Sequence, residues 1–287
     1  IERLGVESLR LNLVRATRLS NSGEVADASV AVNDLEKTIK SKRALLSGQE
    51  SRWFSREQRA ANESALDNAK WIASLLRGKL ASRQGNLVDA VNILGKSLEA
   101  QVSIPDQQRL KAAVLLADTH SQMEDWDLAA TTYETAASLA KDPDQFRVRA
   151  AKAWASAGNA MRSFDQWRSI DGNSLSLKLM QLRARTAEEL AQPPATRNYT
   201  TIWSRIDSLR TALHQQRDSL QTEEFSLLES ELELLTLAVP DRDNGGQRAT
   251  AVERLYNLST ASTENADLQQ FAAISLAQVG RIDDAMT

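Results

Sequence analysis

The sequence predicts an all-α chain of antiparallel helix pairs stacked one on the next. Three observations carry this expectation. A pattern of small and large residues recurs at fixed offsets. The five prolines all fall between segments of helical periodicity, where a missing N–H costs nothing. Strand signals are nearly absent, because β-branched and aromatic residues nowhere alternate between turn dipeptides. The clearest copy of the pattern runs Leu116-Ala117-Asp118-Thr119-His120, then Asp125-Trp126, Ala129, Tyr133 and Ala136. Small residues at these places let two helices approach closely while the large ones fill the gap between them.

Aligned on the turn inside each pair, the copies follow in order. Ala16, Leu19, Gly23, Ala28 and Val32 form the first; Gly78, Ala81, Gly85, Ala90 and Leu94 the second; Leu116 to Ala136 the third. Ala151, Trp154, Gly158, Ser163 and Trp167 form the fourth, with two tryptophans at large positions. Ala273, Leu276, Gly280 and Ala285 form the last. Ala117, Ala129, Ala136 and Ala151 occupy helix crossings and are expected to be buried. Ala90 and Ala129 are 39 residues apart, and Ala129 and Ser163 are 34 apart. The middle copies therefore stack nearly in register.

Two stretches depart from the pattern. Gly23 and Gly85 are 62 residues apart, and the surplus falls at 37–69. This stretch predicts a long helix from about Arg56 to Arg83, or a helix pair broken near Asn68, after a loop at Ser47 to Ser51. Beyond Gly158 only helical patterns survive: Leu175 to Leu190, Ile202 to Leu213, Phe225 to Leu237 and Ala251 to Leu258. Asp241 to Gly246 gathers turn formers after Pro240 and reads as the strongest loop.

With these residues the chain resembles the tetratricopeptide-repeat family, most clearly over about 71–170, with degenerate repeats at about 171–262. The resemblance implies a right-handed α-solenoid of stacked antiparallel helix pairs, one helical-repeat domain over 1–287 with an irregular insert at about 37–69. It also implies a scaffold without enzymatic activity that binds a protein or peptide through its concave face, lined by the first helix of each pair. Carried over position by position, that face would show Arg10, Thr17 and Asn21, then Lys79, Ser82 and Arg83. Lys111, Asp118, Ser121 and Gln122 follow, with Lys152 and Ser156 from the fourth copy. Arg10, Lys79, Arg83, Lys111 and Lys152 are thus the candidate peptide-groove residues. The family's clamp for a peptide C-terminal carboxylate needs Lys and Asn at set places, and Leu13 and Thr17 stand where such a pair would begin. The competing reading of these positions is an ordinary solvated face.

Composition narrows the function classes. A chain of 287 residues with 42% hydrophobic but only 5% aromatic residues suits many thin Ala/Leu layers better than one large core. A net charge of −3 with a pI near 5.6 argues against nucleic acid as a partner. The absence of cysteine removes disulfides and thiolate chemistry together. No apolar run is long enough to span a bilayer, so no membrane insertion is expected of this segment. The opening Ile1-Glu2-Arg3-Leu4 and the interrupted copy near Thr287 lead to the expectation of a piece of a longer protein. Charge is uneven: 37–59 is basic through Lys37, Lys40, Lys42, Arg43, Arg52, Arg56 and Arg59, whereas 221–243 is acidic. Such blocks keep helices soluble or steer partners.

Several motifs invite an enzymatic reading. Ala90 to Ser97 fits a relaxed phosphate-loop pattern, but such a loop needs a preceding strand and free backbone N–H groups. Here Ala90 and Leu94 are already used in helix packing. Asp241 to Gly246 starts like a calcium loop, yet Gly245 stands where the fifth position needs a ligand and Val252 where the twelfth needs an acid. Gly172 to Ser176 resembles a nucleophile elbow without its closing glycine, and Ser174 reads better as a helix cap. His120 falls at the helix interface as a packed, hydrogen-bonded imidazole, and His214 faces water. Asn62-Glu63-Ser64 and Asn198-Tyr199-Thr200 match the glycosylation sequon, which arises by chance in long chains. No catalytic residue, cofactor or metal is assigned. The expected function is a protein-interaction scaffold; the alternative is a regulatory or spacer module of a larger enzyme or cell-envelope protein.

Overall fold

In the computed structural model the described residues are 6–48, 54–100, 104–240 and 246–261, with scattered positions between 269 and 277. Among them there are helices and turns but no strand. The chain divides into two compact units, 1–157 and 158–287.

Among the described residues the first unit holds seven helices. They are α1 (Val6–Ser22), α2 (Val25–Ser47), α3 (Arg56–Arg83), α4 (Leu87–Glu99), α5 (Asp106–Gln122), α6 (Trp126–Leu139) and α7 (Asp144–Ser156). Each packs against the next in sequence, and α3 also touches α1 and α5. The surplus at 37–69 forms no additional helix pair. It lengthens α2 to 23 residues and α3 to 28, and α3 passes Asn68 without a break. The start of α3 is fixed by a capping box: Ser55 Oγ accepts from the Gln58 N–H, and the Ser55 N–H donates to Gln58 Oε1, both at 3.1 Å.

The turns inside the pairs share one device. Gly23, Glu124 and Gly85 have φ of +89°, +61° and +79°. At the end of α3 the Asn86 N–H reaches the Ala81 carbonyl and the Gly85 N–H reaches that of Ser82; at the end of α5 Asp125 reaches His120 and Glu124 reaches Ser121. This paired closure consumes the last carbonyls of a helix and needs a left-handed residue just past its end. Glycine supplies that conformation freely; Glu124 adopts it at a cost. Gly158, at the start of the second unit, has φ of +76°.

Close approach is visible at the crossings. Ala117, Ala129, Ala136 and Ala151 are fully buried. A β-carbon on Gly78 would stand 2.6 Å from Leu94 Cγ, so α3 and α4 meet where only glycine fits. Large side chains fill the remaining space and their polar tips are satisfied. Trp71 Nε1 donates to the Ser97 carbonyl at 2.7 Å, Trp154 Nε1 to Glu134 Oε1 at 2.7 Å, and the Tyr133 hydroxyl to Asp118 Oδ1 at 2.5 Å. The 90–97 stretch lies wholly inside α4, with Ala90 and Leu94 fully buried; its backbone N–H groups belong to the helix, as the packing pattern implied.

The second unit holds α8 (Ala160–Arg168), α9 (Leu175–Ala191), α10 (Thr200–Gln215), α11 (Thr222–Ala238) and α12 (Gly246–Ala261), with short 3-10 turns at Pro194–Thr196 and Arg217–Ser219. The four helical patterns read beyond Gly158 correspond to α9 through α12. Ser174 does cap α9, accepting from the Leu177 N–H at 3.2 Å. The core gathers Leu179 and Leu182 of α9, Ile202 and Ile206 of α10, and Leu232 and Leu235 of α11. Glu233, 1% exposed, is held by two cations: Arg210 reaches its oxygens at 3.1 Å from α10, and Arg254 reaches Oε1 at 2.9 Å from α12. A buried carboxylate is tolerated only with such partners. The loop expected at Asp241 to Gly246 falls mostly outside the described residues, as do Gly280 and Ala285 of the last copy. No described helix is long and apolar enough to cross a membrane.

Candidate functional site

Four helices of the first unit, α1, α3, α5 and α7, border one groove of about 580 Å³. They are the first members of successive helix pairs, so the groove follows from the stacking itself. Its floor is apolar. Trp71, Leu75 and Leu76 contribute from α3, Leu110, Val114 and Leu115 from α5. Leu13 of α1 and Phe146 of α7 close the ends. Trp71 and Phe146 are buried, whereas Leu13, Leu110, Val114 and Leu115 remain half-exposed. Half-exposed aliphatic side chains in a concave surface offer a desolvation gain to any apolar group that covers them.

The rim is polar and cationic. Lys79, Lys111 and Arg149 line the groove together with Asn21, Gln108 and Gln145, and no carboxylate does. Lys79 Nζ donates to Asn21 Oδ1 at 2.7 Å, which holds the ammonium at the rim between α1 and α3. Burial pushes the Lys79 pKa below the usual lysine value, and the charges of Arg83 and Lys111 push it further. Arg149 is already paired, with Asp118 Oδ1 at 3.2 Å, and its guanidinium lies over the Tyr133 ring at 5.8 Å. Gln108 Oε1 is buried without a hydrogen-bond donor, leaving an acceptor beside the floor.

Of the five candidate groove residues, Lys79 and Lys111 line this groove. Arg83 does not line it; its guanidinium donates to the Ser20 carbonyl at 2.6 Å and ties the end of α3 to α1. Arg10 and Lys152 are exposed and also lie outside the lining. Thr17 and Asn21 line it, but Ser82, Ser121 and Gln122 do not. Sequence reasoning missed Arg149, Gln108, Gln145 and the apolar floor. A signal existed in Lys111, Val114 and Leu115, which share one helix face with Gln108 and differ in phase from the buried Ala112, Ala113, Leu116 stripe.

The histidines follow their sequence readings in burial, and His120 departs in its hydrogen bonding. His120 is 6% exposed, but its Nδ1 makes no hydrogen bond and lies 3.8 Å from the Asp125 carboxylate. Burial lowers its pKa; Asp125 partly opposes the shift. His214 is exposed, as its polar neighbours implied, with Nε2 3.8 Å from Glu229 Oε1 and the ring 5.8 Å from that of Phe225. Among the described residues no group of three or more His, Asp or Glu side chains is arranged to hold a metal. The sequence matches no protein-family model and no curated protein, so the functional reading has to rest on the groove itself.

Proposed function

We propose that this chain is a non-enzymatic interaction scaffold whose first unit binds an extended or helical peptide of a partner protein, and that its architecture is a right-handed α-solenoid of the tetratricopeptide kind. The observation that carries the reading is the groove floor: apolar side chains from four successive first helices, with Leu13, Leu110, Val114 and Leu115 half-exposed, beneath a rim with three cations and no carboxylate. Such a surface suits a segment with apolar side chains facing the floor and acidic side chains or a terminal carboxylate near Lys79 and Lys111. Single exposed apolar residues are common, but a continuous apolar floor inside a concavity is the usual mark of a binding site.

Selection from a random peptide display library tests the proposal. Enriched sequences should place an acidic residue within a few positions of a leucine- or aromatic-rich core, and a Val114→Arg variant, which fills the half-exposed floor with a charge, should enrich none of them. Unbiased recovery, or recovery unaffected by Val114→Arg, would leave the groove an ordinary solvated face.

A further inference from the structure

A second cleft, of about 410 Å³, lies in the second unit between α8, α9 and α10. Its size falls within the roughly 300–1,000 Å³ range of small-molecule sites. Each helix places one cation on it: Arg168 from α8, Lys178 from α9 and Arg205 from α10. No residue lining it is acidic. None of the three cations makes a hydrogen bond, ion pair or ring contact with any described residue. Three other cations of this unit behave differently. Arg185 engages Glu188 and Glu189, Arg210 engages Asp207 and Glu233, and Arg254 engages Glu233.

Helix electrostatics accounts for only one of the three. Arg168 sits in the last turn of α8, where a cation complements the negative end of the helix. Lys178 lies at the opposite kind of place, one turn into α9 behind its Ser174 cap, where the helix end is itself positive. A lysine there adds to positive potential that no residue lining the cleft offsets. The cleft is also positioned, not merely decorated. Gln181 Nε2 donates to the Trp167 and Ile170 carbonyls at 3.0 and 3.3 Å, which locks the end of α8, and with it Arg168, against α9. The lining also includes the apolar Phe164, Leu182 and Leu209, and the Arg185 guanidinium lies over the Phe164 ring at 5.3 Å.

We propose that this cleft binds a phosphate monoester carrying an apolar body. Two guanidinium forks and an ammonium match the three oxygens of a phosphate. A phosphate monoester carries about −1.5 to −2 charge at neutral pH, enough to offset most of the three cations, whereas a carboxylate would leave two uncompensated. Ser208 at the rim is an additional hydroxyl donor, and the apolar lining receives the organic part. The site is independent of the peptide groove, so failure of either reading leaves the other intact.

Calorimetric titration of the whole chain with phenyl phosphate, inorganic phosphate and benzoate tests it. Phenyl phosphate is expected to bind about tenfold or more tightly than either single-feature probe, because one lacks the apolar body and the other the second charge. Lys178→Glu with Arg205→Glu should weaken phenyl phosphate at least about tenfold. Lys70→Glu with Lys141→Glu, an equal change of net charge in the first unit, should leave it unchanged. Both replaced residues of the cleft are exposed and unpartnered, and helical circular dichroism verifies folding; Lys178→Gln with Arg205→Gln repeats the test without charge reversal. Absence of saturable binding at millimolar phenyl phosphate, equal affinity for benzoate, or equal loss in both reversed pairs would overturn the proposal.

Discussion

Gly78 and Leu94 meet so closely that a β-carbon at residue 78 would stand 2.6 Å from Leu94 Cγ and 2.7 Å from its Cδ2. Leu94 is fully buried. In an exposed helix, Gly→Ala would stabilise by about 0.5–1 kcal/mol. Here overpacking of about 1–3 kcal/mol opposes that gain. Gly78→Ala should therefore lower stability in denaturant titration by about 1 kcal/mol or more, and Gly78→Ala with Leu94→Ala should recover part of the loss through relieved crowding. A simple gain in stability for the single variant would mean that α3 and α4 stand further apart.

The same logic has the opposite sign at Glu124. Its φ of +61° belongs to a turn in which Gly23 and Gly85 serve the corresponding role. A left-handed residue with a side chain costs roughly 1–2 kcal/mol, while glycine loses about 0.5–1 kcal/mol more in backbone entropy on folding. Glu124→Gly should raise stability by about 0.5–1 kcal/mol, read as a higher denaturation midpoint with an unchanged slope. Gly85→Ala should lower it.

These turns also explain how much was legible in the sequence. The copies could be aligned because glycine at 23, 85 and 158 marks a backbone conformation, and buried alanines at 117, 129 and 136 mark close crossings; both are demands a single residue type expresses locally. The long α3 was one of two readings the sequence left open, the other a break near Asn68; the Ser55–Gln58 capping box and the Gly85 turn bound the unbroken helix. The groove was only half legible. Lys79 and Lys111 followed from the family resemblance, but the floor residues Val114 and Leu115 are told from the core stripe only by sharing a helix face with Gln108 and Lys111. Val114 and Leu116 differ by two positions, yet one is half-exposed and the other buried. The cleft of Arg168, Lys178 and Arg205 was not legible at all. Its three residues come from three helices, and no local pattern announces that each lacks a carboxylate partner.

His120 gives a pH dependence of definite sign. Burial places its folded pKa below the ordinary histidine value, despite the Asp125 carboxylate at 3.8 Å. The unfolded chain, with an imidazole pKa of about 6.5, therefore takes up the proton first. The stability that neutral His120 contributes is whole above that value and is lost as pH falls through the lower folded pKa. Thermal midpoints should drop between neutral and mildly acidic pH, and a His120→Gln variant should drop less over the same interval, whatever its absolute stability. Parallel pH profiles would assign the loss to other groups.

The groove makes its prediction through salt. Lys79 and Lys111 line it, whereas Arg10 and Lys152 lie outside, although all four belong to first helices of the unit. If charge at the rim attracts an acidic peptide, the attraction is screened over about 8 Å at physiological ionic strength and about 3 Å in molar salt. A peptide selected on this unit should therefore bind more weakly as salt rises, while its apolar contacts with the floor persist. Lys79→Glu with Lys111→Glu should weaken it by roughly tenfold, equivalent to about 1.4 kcal/mol, and should flatten the salt dependence. Arg10→Glu with Lys152→Glu changes net charge equally but should have a much smaller effect. Fluorescence anisotropy of the labelled peptide across a salt series separates the two: equal losses in both pairs would mean that overall charge, not the groove, attracts the ligand, and no loss in either would leave the floor alone responsible for binding.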